Sequence, residues 1–231
     1  LKDEGYYIGS DYDRFTVRTN IDYKAKSWLK GNVNIAYTYS NLNNPGQGDN
    51  MNNGFAFVNG IPPIYPVHLY NQDGTIATDP KTGNYAYDYG MFEGAGRAFG
   101  SGINPAGSLR YDRNKTTQHF VMGGGSLEFK LYKDLKLIIN ANVQYRGATQ
   151  SEYTNAFYGD AEGIGRIYAQ QDNDLWFTAQ QLLEYNKTIG EHSIRAMAGH
   201  ETQYARSSYI YGSKSHVAAM EGDNVLELGN A

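Results

Sequence analysis

Strict alternation of apolar and polar residues is the feature that most limits how this chain can fold. In the stretch VNIAYTYSN, Val33, Ile35, Tyr37 and Tyr39 alternate with small or polar residues. Successive side chains of a β-strand point to opposite faces, so this period of two predicts a strand with two unlike faces. In a soluble sheet those faces meet a protein core and water, whereas in a transmembrane barrel they meet lipid and a wet lumen.

The same alternation recurs in pairs of segments joined by short links. In chain order the pairs are 15–23 with 29–40, 121–131 with 135–146, and 177–188 with 193–205. Two alternating segments separated by a few residues are typical of a β-hairpin. The chain is therefore predicted to be all-β, with three hairpins and about six antiparallel strands.

The connections between these segments are short at one end and long at the other. The short links lie near 25–28, 132–134 and 189–191. The long loops are 42–116, 147–173 and, as the start of a third, 209–231. Outer-membrane barrels have short periplasmic turns and long extracellular loops, whereas a soluble sandwich has turns about every 8–12 residues at both ends. This asymmetry favours a barrel segment with the three long loops outside the cell.

Composition narrows the class of protein further. A net charge of −4 without a basic run argues against nucleic-acid binding, and the absence of cysteine excludes disulfides and thiolate metal sites. The 21 tyrosines suit membrane interfaces or the stacking of sugars. The apolar face of the first hairpin carries no charge, as lipid requires, because a Lys or Arg at the bilayer midplane costs about 2–4 kcal/mol.

Patterns of catalytic and metal-binding residues are not found. The five histidines lack the H-E-x-x-H spacing, and no G-x-S-x-G motif occurs. Asp73 and Asp79 flank the turn sequences NQDGT and DPKTG, where Asp is expected for structural reasons. We therefore predict no enzyme activity, no cofactor and no metal site.

Loop 42–116 is the predicted ligand-binding element, because a loop of this length is usually functional. It is rich in proline, glycine and aromatic residues, and 69–87 is predicted to form a small hairpin. Tyrosine rings suit sugar stacking or contacts with peptide backbone, although they could equally pack the loop against itself or a partner. The candidate ligand-binding residues are Tyr65, Tyr70, Tyr85, Tyr87, Tyr89, Phe92 and Arg97.

Four segments resemble motifs of one membrane-protein family. They are GYYIGSDYDRFTVRTNID, with its Arg-x-x-x-Arg-x-Asn strand, LYKDLKLIINANVQY, LEYNKTIGEHSIRAMAGHETQ and GINPAGSL. Together they cover most of the strands, the short turns and the end of the large loop. The chain resembles the SusC/RagA family of TonB-dependent outer-membrane transporters.

The resemblance implies that the whole of 1–231 is an internal part of a barrel of about 22 strands. The N-terminal plug and TonB box of such proteins would then lie outside this sequence. It also implies TonB-driven uptake of oligosaccharides or peptides with a SusD-like surface lipoprotein, in the outer membrane of a Gram-negative, Bacteroidetes-like bacterium. The residues alone leave two alternatives open, a soluble secreted β-rich glycan-binding module and a passive porin.

Overall fold

A computed structural model describes residues 1–44, 53–92, 95–98 and 100–217. Its elements are β1 (Lys2–Glu4), β2 (Asp11–Lys26), β3 (Leu29–Asn43), α1 (Gly54–Gly60), β4 (Met91–Phe92), β5 (Ala95–Gly96), α2 (Pro105–Tyr111), β6 (Arg113–Tyr132), β7 (Leu135–Thr154), a 3-10 helix (Gly159–Ala161), β8 (Arg166–Ile189) and β9 (His192–Ser215). Seven strands form one sheet in the order β1-β2-β3-β6-β7-β8-β9, and β4 pairs only with β5. No helix in the described ranges is long and apolar enough to cross a membrane.

The three predicted hairpins are confirmed. β2 pairs with β3, β6 with β7 and β8 with β9, each pair antiparallel and closed by a tight turn. In the last hairpin Ile189 pairs with His192 across the turn, where Gly190 adopts a positive φ of 60° that glycine tolerates best. β8 and β9 each run for 24 residues, far beyond the usual strand length of about 5–6 residues in soluble sheets.

The strands extend beyond the ends that hydrophobic alternation predicts. β7 continues to Thr154 and β8 begins at Arg166, so most of 147–173 belongs to strands and 155–165 connects them. Likewise β9 continues to Ser215, and the rest of 209–231 from 218 onward lies outside the described residues. The alternation is lost in these extensions, where polar residues occur on both faces beside apolar ones such as Tyr153 and Ile167, while the backbone ladder continues. β1 is an additional short edge strand that the sequence pattern does not predict.

From β2 to β7 one face of the sheet is apolar, whereas in β8 and β9 the same face also carries Gln181, His200 and Arg206. A cross-strand row on it contains Val17, Tyr37, Val121, Tyr145 and Leu175. Along β3 this face extends from Leu29 to Tyr39, which at about 3.3 Å per residue and a tilt of about 40° spans roughly 25 Å. That length equals the height of the apolar band of an outer-membrane barrel.

The opposite face is polar. Its central row contains Asn20, Asn34, Gly124, Asn142 and Thr178. The register continues through the triple glycine at 123–125 without a bulge. A Cβ at Gly124 would collide with the carboxamides of Asn34 and Asn142, which lean over the glycine from the two neighbouring strands. The glycine therefore makes room for a hydrated amide cluster on this face.

The two faces can be distinguished by labelling single cysteines in native membranes. Because these 231 residues contain no cysteine, V33C, I35C, N34C and T38C each give one labelling site within them. We expect V33C and I35C to react with a lipid-phase probe, and N34C and T38C with a membrane-impermeant maleimide. Equal reaction of all four with the aqueous reagent would contradict a membrane-spanning sheet.

Candidate functional site

The first long loop begins with α1, which is anchored to the segment before β2. The Tyr7 hydroxyl accepts a hydrogen bond from the backbone N–H of Gly54 at 2.9 Å, and the Tyr7 ring stacks on Phe55 at 5.5 Å between centroids. Asn53 caps the helix by accepting from the Phe55 N–H. A Cβ at Gly54 would collide with the Tyr7 ring, so glycine is required for this close approach. The GYY motif therefore positions the loop.

The middle of the loop is a set of three short paired segments. Leu69 donates its N–H to Ala86, Ala86 donates to Ala77, and Ala77 donates to Leu69. Two tight turns connect the segments, so the structure is more elaborate than the predicted small hairpin. Asp73 accepts from the Thr75 hydroxyl and N–H, and these hydrogen bonds hold the pKa of Asp73 below its usual value. Asp79 accepts from the Lys81 N–H, so both aspartates have the predicted turn roles.

Arg97 lies inside the loop, with only 3% of its side chain exposed. Its guanidinium forms an ion pair with Asp88 at 3.3 Å and donates to the Gly100 carbonyl at 3.0 Å. It also lies over the rings of Phe57 and Tyr65, at 5.2 and 5.5 Å from their centroids. Burial of a charge is tolerated because these partners satisfy it. Arg97 and Tyr65 therefore help to hold the loop together.

Asn104 connects the paired segments to α2. It caps α2 with Pro105 at the first helical position, as expected for an Asn-Pro sequence. Its buried side-chain amide donates to the carbonyls of Val67, at 3.0 Å, and Asp88, at 2.9 Å. One side chain thus fixes the helix to two other parts of the loop.

Asn155 joins the second loop to the end of α2. It is fully buried, and its backbone and side-chain N–H groups both donate to Asp112, at 2.8 and 2.6 Å. Its side-chain oxygen accepts from the backbone N–H groups of Phe157 and Tyr158. A surface ion pair between Lys81 and Glu162, at 2.6 Å, makes a further connection between the loops.

An aromatic cluster spans both loops; we call it the aromatic cap, and its members are Tyr87, Tyr89, Tyr111, Phe157 and Tyr158. Tyr89 and Tyr158 stack face to face, with centroids 4.5 Å apart and planes at 10°. Burial raises the pKa of the Tyr89 hydroxyl well above its ordinary value. Stacked rings of this kind contribute about 0.5–1.5 kcal/mol beyond the area they bury.

A cavity of about 310 Å³ opens beside the aromatic cap; we call it the loop cavity, and it is lined by Thr78, Gly83, Asn84, Tyr85, Tyr87 and Arg110. Tyr85 contacts His68 edge-on at 5.8 Å yet remains 60% exposed. Tyr87 packs on His68 at 4.6 Å between ring centroids, so one wall is rigid. The cavity combines ring surface with hydroxyl, amide and guanidinium groups, which is the mixture found in small-ligand sites.

The structure separates the predicted ligand-binding residues into groups. Tyr85 and Tyr87 line the loop cavity, Tyr89 belongs to the aromatic cap, and Tyr70 is exposed beside its bridge partner Ile76. Tyr65 and Arg97 contact each other inside the loop. Phe92 pairs with Ala95 between β4 and β5. That any of them binds a ligand stays a prediction.

Sequence reasoning missed the polar residues that organise the site. Arg110, Asn104 and Asn155 were not among the candidates. The Asn-Pro pair signals a helix cap and could have indicated Asn104, whereas nothing in the sequence reveals that Asn155 is buried. Among the described residues, no group of three His, Cys, Asp or Glu side chains is placed to hold a metal ion.

Comparison with known proteins gives matches at the level of structure. No protein-family model and no curated protein matches the sequence. A solved structure of the RagAB peptide importer in its closed-closed state matches with a TM-score of 0.68 and 21% identity, and the match covers 90% of this chain. The same importer in its open-open state matches with a TM-score of 0.69 and 20% identity over 89% of this chain. A further structure, of the RagAB peptide transporter, matches with a TM-score of 0.71 and 20% identity over 93% of this chain.

The chain has the fold of part of RagAB. It spans 21–22% of the solved chains that it matches. The predicted fold class, an antiparallel segment of a larger transmembrane barrel, is therefore confirmed, and the open edges of the sheet are consistent with a segment. The motif resemblance to SusC/RagA transporters and the structural match to RagAB point to the same proteins.

The contact between α2 and the aromatic cap can be tested at Gly107. A Cβ at this buried position would meet the Tyr89 hydroxyl and the Tyr87 ring, so G107A should force the rings apart and destabilise the loop by about 1–3 kcal/mol. Faster amide hydrogen exchange across 85–111 would report this. G212A is the control, because a Cβ at Gly212 has open space around it. Unchanged exchange in G107A would contradict the packing.

The connection between the loops can be tested at Asp112. D112A removes the acceptor of two buried N–H groups of Asn155, and each unsatisfied group costs about 1–3 kcal/mol. We therefore expect faster proteolysis within 155–165. D112N keeps an acceptor oxygen and should lose much less protection. Equal protection in D112A and the natural protein would show that this contact does not hold the second loop.

Proposed function

We propose that the chain is part of a TonB-dependent outer-membrane importer for peptides or oligosaccharides that works with a SusD-like surface lipoprotein. The observation that carries the proposal is the RagAB fold together with the two unlike faces of the sheet. Over β2 to β7 one face offers an apolar band of about bilayer height, and the other face offers amides suited to a water-filled or plugged lumen. Transport, not catalysis, is the activity that this arrangement supports.

The two outer loops supply the proposed ligand contacts. Tyr85 and Tyr87 present ring surface at the loop cavity, while Tyr89 and the rest of the aromatic cap keep these rings in place. Tyr65 and Arg97 support the loop from inside. Tyr70 and Phe92 remain candidates on the same loop.

A protein partner is supported by the apolar surface of the first loop. Val58 and Ile64 are 71% and 80% exposed, and the exposed Pro62 and Pro63 lie between them in sequence. Exposed apolar patches commonly mark protein–protein contacts. In our proposal this surface meets the lipoprotein, and TonB drives the import.

Uptake measurements test the proposed function. Cells that carry the native protein should import a fluorescent oligopeptide or oligosaccharide, and import should stop without TonB or with a protonophore. Import that continues without TonB would indicate a passive porin. Recovery of the protein from the soluble secreted fraction would indicate a glycan-binding module.

The role of the loop cavity can be tested at Tyr85. Because its ring is exposed at the cavity and contributes little to loop packing, Y85A should fold normally and weaken binding of the imported ligand about tenfold. Y85F retains the ring and should keep most of the affinity. Binding can be measured by titration calorimetry on the purified protein. Equal affinity of Y85A and the natural protein would place ligand recognition elsewhere.

A further inference from the structure

Arg110 is the cation whose role in the fold is least explained. It lies in the last turn of α2, its side chain is exposed, and it lines the loop cavity. Three other cations of the loop have partners: Arg97 pairs with Asp88, Lys81 pairs with Glu162, and Arg113 donates to the backbone carbonyls of Arg110 and Asp112. Within the described ranges, the Arg110 guanidinium forms no ion pair. A guanidinium in a concave site is suited to bind a planar anion through two parallel hydrogen bonds.

The walls of the loop cavity are otherwise uncharged. The remaining lining residues are Thr78, Gly83, Asn84, Tyr85 and Tyr87. Asp79 and Asp112 lie close in sequence to lining residues. Asp79 is buried and accepts hydrogen bonds from the Lys81 N–H and the Thr82 hydroxyl within its own turn, and Asp112 accepts from the two N–H groups of Asn155. An anion that enters the cavity would therefore meet one positive charge and no lining carboxylate.

The size of the cavity limits what it can take. At about 310 Å³ it lies at the lower end of small-ligand pockets, which are about 300–1,000 Å³. It suits the end of a chain better than a whole oligomer. The exposed ring of Tyr85 and the half-buried ring of Tyr87 give apolar surface beside the guanidinium, where the stem next to the anion can pack.

We propose that the loop cavity binds the C-terminal carboxylate of a peptide, with Arg110 as the group that recognises the anion. The inference rests on the proposed import function and adds a recognition chemistry to it. A single cation suits a chain with one terminal carboxylate, whereas an acidic polysaccharide carries a carboxylate on many of its sugars. The RagAB proteins that share the fold are peptide importers, which agrees with this ligand class.

Calorimetric titration of the native protein in detergent tests this proposal. The probes are the tripeptide Ala-Tyr-Ala with a free C terminus, the same peptide with a C-terminal amide, and trigalacturonic acid. The natural protein should bind the free acid at least about tenfold more tightly than the amide, because charged hydrogen bonds are the stronger ones. R110Q should bind both peptides equally, and R110K should retain part of the preference. R14Q is the control, since Arg14 is exposed in β2 and does not line the cavity.

Each alternative result has a definite meaning. Equal binding of acid and amide by the natural protein, or a preference that persists in R110Q, would overturn the role of Arg110. Tight binding of trigalacturonic acid with no peptide binding would overturn the peptide assignment. Uptake of the fluorescent peptide by intact cells separates this inference from the function on which it rests. If the peptide is imported without a carboxylate preference, only the inference fails, and if no TonB-dependent import of any probe occurs, the proposed function fails with it.

Discussion

The continuous antiparallel hydrogen-bond ladder from β2 to β9 is the interaction on which the rest of the structure depends. Within lipid, an unpaired backbone N–H or C=O has no water to bond and costs several kcal/mol. The ladder removes that cost strand by strand and fixes the register at the same time. Because the register is fixed, every second side chain lies on the same face, and a slip by one residue would exchange the apolar and polar faces completely.

The outer loops are held by a different kind of interaction. Away from the ladder, the backbone is irregular, and buried side-chain amides and carboxylates satisfy its polar groups. Asn104 and Asn155 each form hydrogen bonds with several backbone groups. Inside the first loop, the buried guanidinium of Arg97 forms an ion pair with Asp88. Aromatic rings then close the gaps between these polar centres. Order in the loops thus depends on a few residues, whereas order in the sheet is distributed over all of its strands.

The sequence predicted the sheet well because its signal is repeated. The alternation over 29–40 and 135–146 identifies strands, faces and turns, and the tight turn between Ile189 and His192 follows from two converging patterns. The predicted strand ends were too early wherever the ladder continues through residues such as Thr149 and Ser151, which are polar on the face that is apolar elsewhere. Hydrophobic alternation marks only the part of a strand with one apolar face, so it underestimates the length of a strand that continues beyond that part.

The loop site was predicted only in part, for a related reason. Aromatic richness singled out the loop, and Tyr85 and Tyr87 line its cavity, whereas ligand binding there stays a prediction. The pattern cannot distinguish these rings from Tyr89, which lies against Tyr158, because that contact joins residues far apart in the chain. Arg97 and Arg110 show the same limit: both are single arginines near glycines, yet one is buried and paired while the other is exposed at a cavity. Composition marks such a loop, and three-dimensional contacts decide the role of each residue.

The Tyr89–Tyr158 stack, the Asp112–Asn155 hydrogen bonds and the Lys81–Glu162 ion pair lie at separate points along the seam between the two outer loops. Contacts at several separated points prevent one loop from turning independently of the other. These contacts therefore couple the two loops, which end on the strands at Asn43, Arg113, Thr154 and Arg166. Because the loops end on these four strands, a force on either loop reaches all three hairpins.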